Sequence, residues 1–146
     1  MAGVPTAVTV VTTAGAEGPL GATANAVVSL SADPPLMLVA LNRRSRTLVA
    51  LQDARRFGVN VLAADQSELA LRFATKEPQP VKWEGVAWSE LAGAPALDGA
   101  TLAMSCELVE ELDGGDHVIL VGAVGALAES GAEALVFHGG DYRPLG

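Results

Sequence analysis

The chain of 146 residues has the length of one domain, so we expect residues 1–146 to fold as a single unit. Half of the residues are hydrophobic and 18% are charged, which supports a packed core and excludes a disordered chain. A net charge of −8 and an aromatic content of 4% argue against a nucleic-acid-binding protein, whether it binds by charge or by base stacking.

The first half of the chain predicts strands interrupted by one helix. Residues 8–13 are rich in β-branched side chains and predict a strand, and a second extended segment covers residues 20–30. After two prolines, the continuous apolar run 36–41 predicts a buried strand. Ser45 is suited to cap a helix over residues 46–54, in which Leu48 and Leu51 share one face.

The second half predicts another helix and a hairpin. Residues 57–62 predict a strand, and Asp65 with Glu68 has the spacing of a capping box that begins a helix to about residue 73. Residues 75–80 predict a loop. Residues 101–108 alternate as a strand does, and after Asp113-Gly114-Gly115 the strand 117–124 pairs back. A last short strand covers residues 134–137.

This series of elements favours a mainly β fold with short helices. Six or seven short strands are best accommodated in a closed antiparallel barrel, because closure removes the free edges of a sheet. A doubly wound parallel sheet is disfavoured, since helices do not alternate with the strands. The chain has neither a G-x-G-x-x-G pattern after a strand nor a P-loop pattern, so any nucleotide is bound in another way.

Charge is distributed unevenly along the chain. Residues 1–42 carry −2, residues 43–82 carry +4 and residues 83–146 carry −10. An acidic protein with one basic segment can attract an anion to that segment while it repels polyanions elsewhere. The alternative to an anion-binding role is that residues 43–56 form a solvent-exposed helix face.

The location of the protein is predicted from what the sequence lacks. Its apolar stretches are far shorter than the roughly 20 residues of a membrane-spanning helix, and its start has no basic region typical of a signal peptide. The single cysteine excludes an internal disulfide and is typical of a reducing compartment. We therefore expect a cytoplasmic protein that makes no contact with a membrane.

Chemistry carried by the protein's own nucleophiles or by a metal is not indicated. His117, His138 and Cys106 are far apart in sequence and show no spacing of a metal site. Cys106 lies on the apolar face of a predicted strand, as a small buried hydrophobe would. Without a G-x-S-x-G elbow, reactivity would have to come from an organic cofactor.

Three segments carry polar groups that a plain core does not explain. Thr23-Ala24-Asn25-Ala26 with Ser29 and Ser31 either face solvent or bind a planar ligand with several donors and acceptors. Ser45-Arg46-Thr47 stands at a predicted helix N-terminus and is suited to a phosphate. Asp116-His117 places an imidazole beside a carboxylate at a hairpin, although a loop histidine is usually only exposed.

Six motifs follow one another along residues 4–145. They are residues 5–13 (PTAVTVVTT), residues 23–36 (TANAVVSLSADPPL), Asn42 with Ser45 and Thr47, residues 57–62 (FGVNVL), Gly115-Asp116-His117, and Tyr142-Arg143-Pro144-Leu145. In kind and order they resemble the flavin reductase family, which has the FMN-binding split-barrel fold, an antiparallel Greek-key split β-barrel. The chain is most similar to the short reductase components of two-component flavin-dependent monooxygenases.

The resemblance implies an NAD(P)H:flavin oxidoreductase. Such proteins use NADH or NADPH to reduce FMN or FAD, often for a partner monooxygenase that receives the reduced flavin by diffusion, and a homodimer is expected. One alternative is a barrel that keeps FMN as a fixed prosthetic group or carries flavin without reductase turnover. Another is a non-catalytic barrel that serves as a subunit of a larger assembly.

The resemblance also implies roles for individual residues. Thr23, Ala24, Asn25, Ala26, Ser29 and Ser31 would line the isoalloxazine ring and ribityl chain, and Asn60 would flank the flavin. Ser45, Arg46 and Thr47 would bind the flavin phosphate. His117 would lie near the ring and the nicotinamide as the catalytic candidate, while Tyr142 and Arg143 would close the pocket or contact the pyridine nucleotide.

Two features depart from the family pattern or lie outside it. Members usually have a helix before the first strand, whereas this chain starts almost at that strand, and Ala7 stands where glycine is common. Trp83 and Trp88 flank a turn at Gly85, where they form either a lid or an ordinary packed turn.

Overall fold

The computed structural model describes residues 3–146, in which twelve strands and three helices are formed. The strands are β1 (Thr6–Ala7), β2 (Thr9–Gly15), β3 (Gly18–Ala24), β4 (Val27–Ala32), β5 (Pro35–Asn42), β6 (Arg56–Val61), β7 (Trp88–Leu91), β8 (Ala94–Leu97), β9 (Leu102–Gly114), β10 (His117–Glu129), β11 (Leu135–His138) and β12 (Asp141–Pro144). The helices are α1 (Arg46–Ala54), α2 (Ser67–Ala74) and α3 (Gln79–Lys82).

Seven antiparallel strands form the main sheet, in the order β3-β2-β6-β9-β10-β5-β4. Its two outermost strands, β3 and β4, are consecutive in sequence and are joined by Asn25 and Ala26 alone. Because two residues span only about 7 Å, the joined ends of these two outermost strands must lie close together. The sheet is therefore curled into a barrel, and the prediction of a mainly β, antiparallel barrel is confirmed.

The barrel interior is filled by one apolar cluster to which most strands contribute. Val11, Leu41, Phe57 and Leu120 are its buried members from four different strands, and Leu48 and Leu51 of α1 close one end. Cys106 is fully buried in this cluster, and burial raises the pKa of its thiol to about 11. The prediction that Cys106 is a core residue is confirmed.

A second apolar cluster lies outside the barrel, under α2 and α3. Val8, Val10, Phe73 and Leu135 are among its fully or almost fully buried members. The Trp83 ring meets the edge of Phe73, with ring centroids 5.0 Å apart, and Trp88 lies 5.6 Å from Trp83. The three-stranded sheet β1-β11-β12 covers the far side of this cluster. Trp83 is thus packed in this cluster, whereas Trp88 lies against it with 41% of its surface exposed.

Sequence-predicted strands are found, with one correction. The extended segment predicted over residues 20–30 is two strands, β3 and β4, which bend apart at the Asn25-Ala26 corner and occupy opposite edges of the sheet order. Small residues gave this segment a uniform pattern, and the bend depends on the barrel rather than on local sequence. The continuous run in β5 is buried only at Val39 and Leu41.

The helix and loop boundaries also differ at two places. The helix predicted from Asp65 begins at Ser67 after Gln66, whose side-chain oxygen accepts a hydrogen bond from the Ala63 N–H at 2.9 Å and so occupies the turn that a capping box would need. The loop predicted over residues 75–80 ends in α3, because Pro80 fits the first turn of a helix.

The hairpin β7-β8 was not predicted, and its turn explains why. Ala92 and Gly93 both have positive φ, at 45° and 87°, as the favoured two-residue hairpin turn requires. An alanine in this conformation lacks the usual Asn-Gly or Asp-Gly signal.

None of the helices in residues 3–146 has the length and apolar character needed to cross a bilayer.

Candidate functional site

A groove runs along the exposed side of β3, between the N-terminus of α1 and the β9-β10 hairpin. It comprises two adjoining cavities of about 500 and 380 Å³ that share Ala22, Thr23, Asn42 and Ser45. We call it the β3 groove. One end is lined by Asn25, Ala26 and His117, and the other by Arg46, Thr47, Gln79 and Lys82.

The end at α1 has the features of an anion site. The Asn42 side-chain oxygen accepts a hydrogen bond from Arg44 N–H at 2.9 Å, and the Asn42 carbonyl accepts one from Ser45 N–H at 3.0 Å. This tight turn places Ser45 immediately before α1 without using its hydroxyl as a helix cap. The unused hydroxyl and the free N–H groups of the helix N-terminus are therefore available to a bound anion.

Cationic side chains surround the same end. Arg44, Arg46, Lys76 and Lys82 line it, against one acidic residue, Glu77. Lys82 is buried, and its ammonium group donates to the Phe73 carbonyl at 3.4 Å. Burial, followed by the charge of Arg46, lowers the pKa of Lys82 below its ordinary value. An anion bound between Lys82 and Arg46 would stabilise the charged form of Lys82 and so oppose both effects on its pKa.

At the other end, His117 is held by its neighbour Asp116. The distance from His117 Nδ1 to Asp116 Oδ1 is 2.7 Å, and this hydrogen bond, followed by the charge of the histidine, lowers the pKa of Asp116. The Asp116 carboxylate remains ionised well into the acid range, so it accepts a hydrogen bond from the His117 Nδ1–H. His117 Nε2 is then the ring nitrogen left to contact a molecule in the groove.

Arg43 connects the two ends of the groove. Its backbone N–H donates to the Asp116 carbonyl at 3.0 Å, and its side-chain Nε donates to the Gly115 carbonyl at 2.7 Å. A further contact joins the guanidinium to Asp113. These bonds fix the hairpin that carries His117 relative to the loop that carries Ser45.

Unpaired polar atoms indicate that the groove is built for a ligand. Among the described residues, three buried side-chain oxygens lack a hydrogen-bond partner, and two of them, Asn25 Oδ1 and Thr47 Oγ1, belong to residues that line the groove. Such atoms are costly to leave unpaired. An acceptor at one end and a hydroxyl among cations at the other fit a molecule with a polar ring system and a phosphate.

Most of the site residues predicted from sequence meet in this groove. Those that line it are Thr23, Ala24, Asn25, Ala26, Ser45, Arg46, Thr47 and His117. Thr23 has a structural task as well, because its hydroxyl donates to the Ala70 carbonyl of α2 at 2.7 Å. The structure thus brings three segments that are separate in sequence to one groove.

The groove does not contain the remaining predicted residues. Ser29 and Ser31 lie on β4 beyond the corner, where the pairing with β5 is irregular and Ser29 is exposed. Tyr142 packs against Phe137, with ring centroids 5.2 Å apart, and Arg143 lies beside Asp141. Within one chain, these four side chains line neither cavity of the groove.

Asn60 is part of the core, and its placement beside a ligand is corrected. It is fully buried, its side-chain oxygen accepts the Leu97 N–H at 2.9 Å, and its amide nitrogen donates to the Val10 carbonyl at 3.2 Å. These bonds attach the β7-β8 hairpin to the barrel. A single amide in an apolar strand gave no sequence signal that could separate this role from ligand binding.

Sequence reasoning missed two residues of the groove, Lys82 and Gln79. Gln79 accepts a hydrogen bond from the Gly21 N–H at 2.9 Å and donates one to the Gly21 carbonyl at 3.3 Å, so that α3 is fixed against β3. Both residues lie in a helix that was predicted as part of a loop or left unassigned. Their chemistry becomes visible only when α3 lies over β3.

Comparison with known proteins agrees with this geometry. The family model described as "Flavin reductase like domain" matches residues 1–146. The chain is 43% identical to "FMN reductase (NADH) RutF 2" of Methylorubrum extorquens (strain PA1), over 99% of this chain and 86% of that protein. It is 38% identical to "Flavin-dependent monooxygenase, reductase subunit HsaB" of Mycobacterium tuberculosis (strain ATCC 25618 / H37Rv), over 96% and 76%.

A solved structure shows the same similarity. The chain superimposes on the NADH:FAD oxidoreductase SgcE6 of Streptomyces globisporus C-1027 with a TM-score of 0.92 and 34% identity. The match covers 99% of this chain and 89% of that one. Within residues 3–146, no group of three or more His, Cys, Asp or Glu side chains could hold a metal ion.

The corrected role of Asn60 can be tested by substitution. We expect Asn60→Ala to lower the free energy of unfolding by about 2–4 kcal/mol, because it leaves the buried Leu97 N–H without a partner and opens a small cavity. Urea unfolding followed by circular dichroism measures this change. Ligand affinity of the folded variant should stay within a factor of about two. A variant of unchanged stability that binds ligand poorly would restore Asn60 to the site.

Proposed function

The chain belongs to the flavin reductase-like domain family, and from this membership we propose that it is an NADH-dependent flavin reductase that folds as one domain over residues 1–146. The observation that carries the proposal is the β3 groove, in which Asn25 and His117 at one end would bind a ring and Ser45, Arg46 and Thr47 at the other would bind a phosphate. The reaction needs no nucleophile from the protein, because the protein's task is to hold the flavin and nicotinamide rings together.

The phosphate end anchors the flavin in this proposal. The hydroxyls of Ser45 and Thr47, the N-terminal N–H groups of α1 and the Arg46 guanidinium would bind the phosphate, and Lys82 adds a second cation beneath it. The unpaired Thr47 oxygen gains a partner on binding. At the other end, Asn25 Oδ1 can accept a hydrogen bond from a ring N–H, so the residues present fit a flavin.

The reduction itself depends on position and charge. A bound flavin supplies the hydride acceptor for a reduced nicotinamide. His117 lies at the ring end with Nε2 free, where it can accept a hydrogen bond from the nicotinamide carboxamide and so orient that ring. Asp116 is a positioning residue, because it acts only through the orientation of His117.

The finer choices of substrate follow the relatives. We assign NADH as the donor because two relatives are named for NADH, and we retain both FMN and FAD as acceptors because one of these relatives is named for each. NADPH, which the sequence left open, has no support of this kind. The reduced flavin would pass by diffusion to a monooxygenase component, and the mycobacterial relative is named as the reductase subunit of such a monooxygenase.

A cytoplasmic homodimer that contacts neither membrane nor nucleic acid completes the proposal. Support for a dimer comes from β4, an outer strand of the sheet order, on which the neighbouring apolar residues Val28 and Leu30 are each 50% exposed. Two copies could cover these side chains, and the strand also carries Ser29 and Ser31. Sedimentation equilibrium at two concentrations measures the oligomeric state.

The proposed function predicts oxidation of NADH that depends on free flavin. Purified protein should oxidise NADH only when FMN or FAD is added, at a rate that saturates with flavin concentration, as absorbance of the nicotinamide band will show. Heat-denatured protein with flavin is the control. A yellow protein that leaves NADH unchanged would instead indicate a fixed flavin, and failure in both respects would indicate a non-catalytic barrel.

Removing one phosphate contact should affect only phosphorylated flavins. Arg46→Ala is expected to raise the Kd for FMN about tenfold, because it removes one charge-assisted hydrogen bond at a partly exposed site. Riboflavin, which has no phosphate, is the matched control and should bind wild type and variant alike. Fluorescence quenching measures both constants, and an equal loss for both ligands would contradict the phosphate role.

His117 is expected to affect the nicotinamide rather than the flavin. His117→Ala should lower kcat/KM for NADH about tenfold through lost positioning, while the Kd for FMN stays the same. Asp116→Asn retains the imidazole and should cause a smaller loss. Because the pKa of Asp116 lies below its ordinary value, its carboxylate stays ionised between about pH 5 and 8, so it contributes no activity change in that range. Unchanged steady-state constants for both variants would remove His117 from the site.

A further inference from the structure

The turn that carries His117 is short. β9 and β10 are paired as far as Gly114 and His117, so the turn between them consists of Gly115 and Asp116. Gly115 has a φ of 75°, a conformation that two-residue hairpin turns favour at this position. Since His117 follows the turn directly, the place of its imidazole in the β3 groove depends on what holds the turn.

The strands on either side of the hairpin give this turn little support. β6 pairs with β9 as far as Arg56 and Glu107, so residues 109–114 have a paired neighbour on one side among the described strands. β10 pairs with β5 as far as His117 and Asn42, where β5 ends. The tip of the hairpin therefore projects past the ends of both adjoining strands.

Arg43 binds this projecting turn at both of its carbonyls. Its backbone N–H donates to the Asp116 carbonyl at 3.0 Å, and its side-chain Nε donates to the Gly115 carbonyl at 2.7 Å. The guanidinium also contacts Asp113, whose side chain is 82% exposed, and so exposed an ion pair contributes little because water and salt screen it. The directional bonds to the two carbonyls therefore determine where the turn lies.

The backbone of Arg43 belongs to the loop at the other end of the groove. The Asn42 carbonyl accepts the Ser45 N–H at 3.0 Å, which makes residues 42–45 one tight turn with Arg43 inside it. Neither cavity of the β3 groove is lined by Arg43 itself. Arg43 thus connects the segment proposed to bind phosphate with the histidine turn, and any effect it has on a ligand in the groove passes through other residues.

We propose that Arg43 is a positioning residue for the hydride donor, because it holds His117 at the place from which the imidazole orients the nicotinamide. This inference rests on the function proposed above, since it assumes that a nicotinamide binds beside His117. The competing explanation is that Arg43 attracts anionic NADH by its charge alone. Positioning is favoured because the guanidinium is already bonded to Gly115 and Asp113.

Two substitutions separate position from charge. Arg43→Ala removes both, whereas Arg43→Lys keeps the charge and loses the Nε donor to Gly115. Each variant should lower kcat/KM for NADH about fivefold, while the Kd for FMN stays within a factor of about two. Steady-state kinetics and fluorescence quenching measure these constants. Wild-type kcat/KM in Arg43→Lys would show that charge is sufficient and would overturn the proposal.

Arg55→Ala is the matched control. Arg55 also binds β9, through a hydrogen bond to the Leu108 carbonyl at 3.3 Å and an ion pair with Glu111 at 3.8 Å. It makes no contact with the turn of Gly115 and Asp116 and lines neither cavity of the β3 groove. Its kinetic constants should equal those of wild type. A loss as large as that in Arg43→Ala would assign both effects to general loosening of the hairpin and overturn the specific role.

A double substitution tests whether Arg43 acts through His117. If it does, kcat/KM of the variant with both Arg43→Ala and His117→Ala should equal that of His117→Ala within a factor of about two, because the imidazole to be positioned is gone. Losses that multiply would show that the two residues act independently, and the positioning role would be rejected.

Hydrogen exchange measured by mass spectrometry tests the same contact without NADH. The peptide that contains residues 113–118 should exchange faster in Arg43→Ala and Arg43→Lys than in wild type and Arg55→Ala. Unchanged exchange would overturn the proposal, as would faster exchange with unchanged kcat/KM. If Arg43→Ala does not fold, as circular dichroism would show, Arg43→Lys decides. Absence of NADH oxidation by the wild type with either flavin would reject the proposed function instead, and exchange would still report whether Arg43 holds the turn.

Discussion

The two-residue connection between β3 and β4 is the constraint on which the rest of the structure depends. Asn25 and Ala26 join the two outer strands of a seven-stranded sheet, so the sheet has to curl until the joined ends of these strands meet. The Ala26 carbonyl accepts the Ala40 N–H at 2.9 Å, which holds the corner against β5. The same corner places Asn25 at the mouth of the barrel with an unpaired oxygen, and the β3 groove begins there.

The basic end of the groove comes from a segment whose charge is opposite in sign to the net charge of the chain. The chain as a whole carries −8, yet residues 43–82, which carry +4, supply Arg44, Arg46, Lys76 and Lys82 to one end of the groove. The field of the acidic remainder disfavours polyanions over most of the surface, while the local cations favour a small anion at one point. Buried Lys82 contributes most directly, since its charge is the least screened by solvent.

Local sequence patterns predict much of the fold and of the groove. The groove residues that depend on long-range packing could not be predicted from them. Ser45, Arg46 and Thr47 were identifiable because a helix N-terminus with hydroxyls and a guanidinium is an anion site by itself. The closed barrel followed from many short strands without alternating helices. Lys82 could not be found in the same way, because its place under the groove depends on how α3 packs across β3.

Similar reasons explain why Asn60, Ser29 and Ser31 lie outside the groove. Asn60 has the polarity of a ligand-binding residue, but its partner Leu97 is 37 residues away in a hairpin that the sequence does not signal. Ser29 and Ser31 follow Asn25 closely in sequence, yet the corner at residues 25 and 26 sends them to the other edge of the sheet. In both cases the residue type was informative and the direction of its side chain was not.

The pair of hydrogen bonds between Gln79 and Gly21 has a consequence for self-association. β3 is an outer strand, and a glycine within it presents a backbone N–H and carbonyl that a strand of another molecule could pair with. The Gln79 amide occupies both groups, at 2.9 and 3.3 Å, as one residue of a neighbouring strand would. One side chain therefore protects the strand from intermolecular β-pairing, and the solubility of the folded chain depends in part on α3 remaining in place.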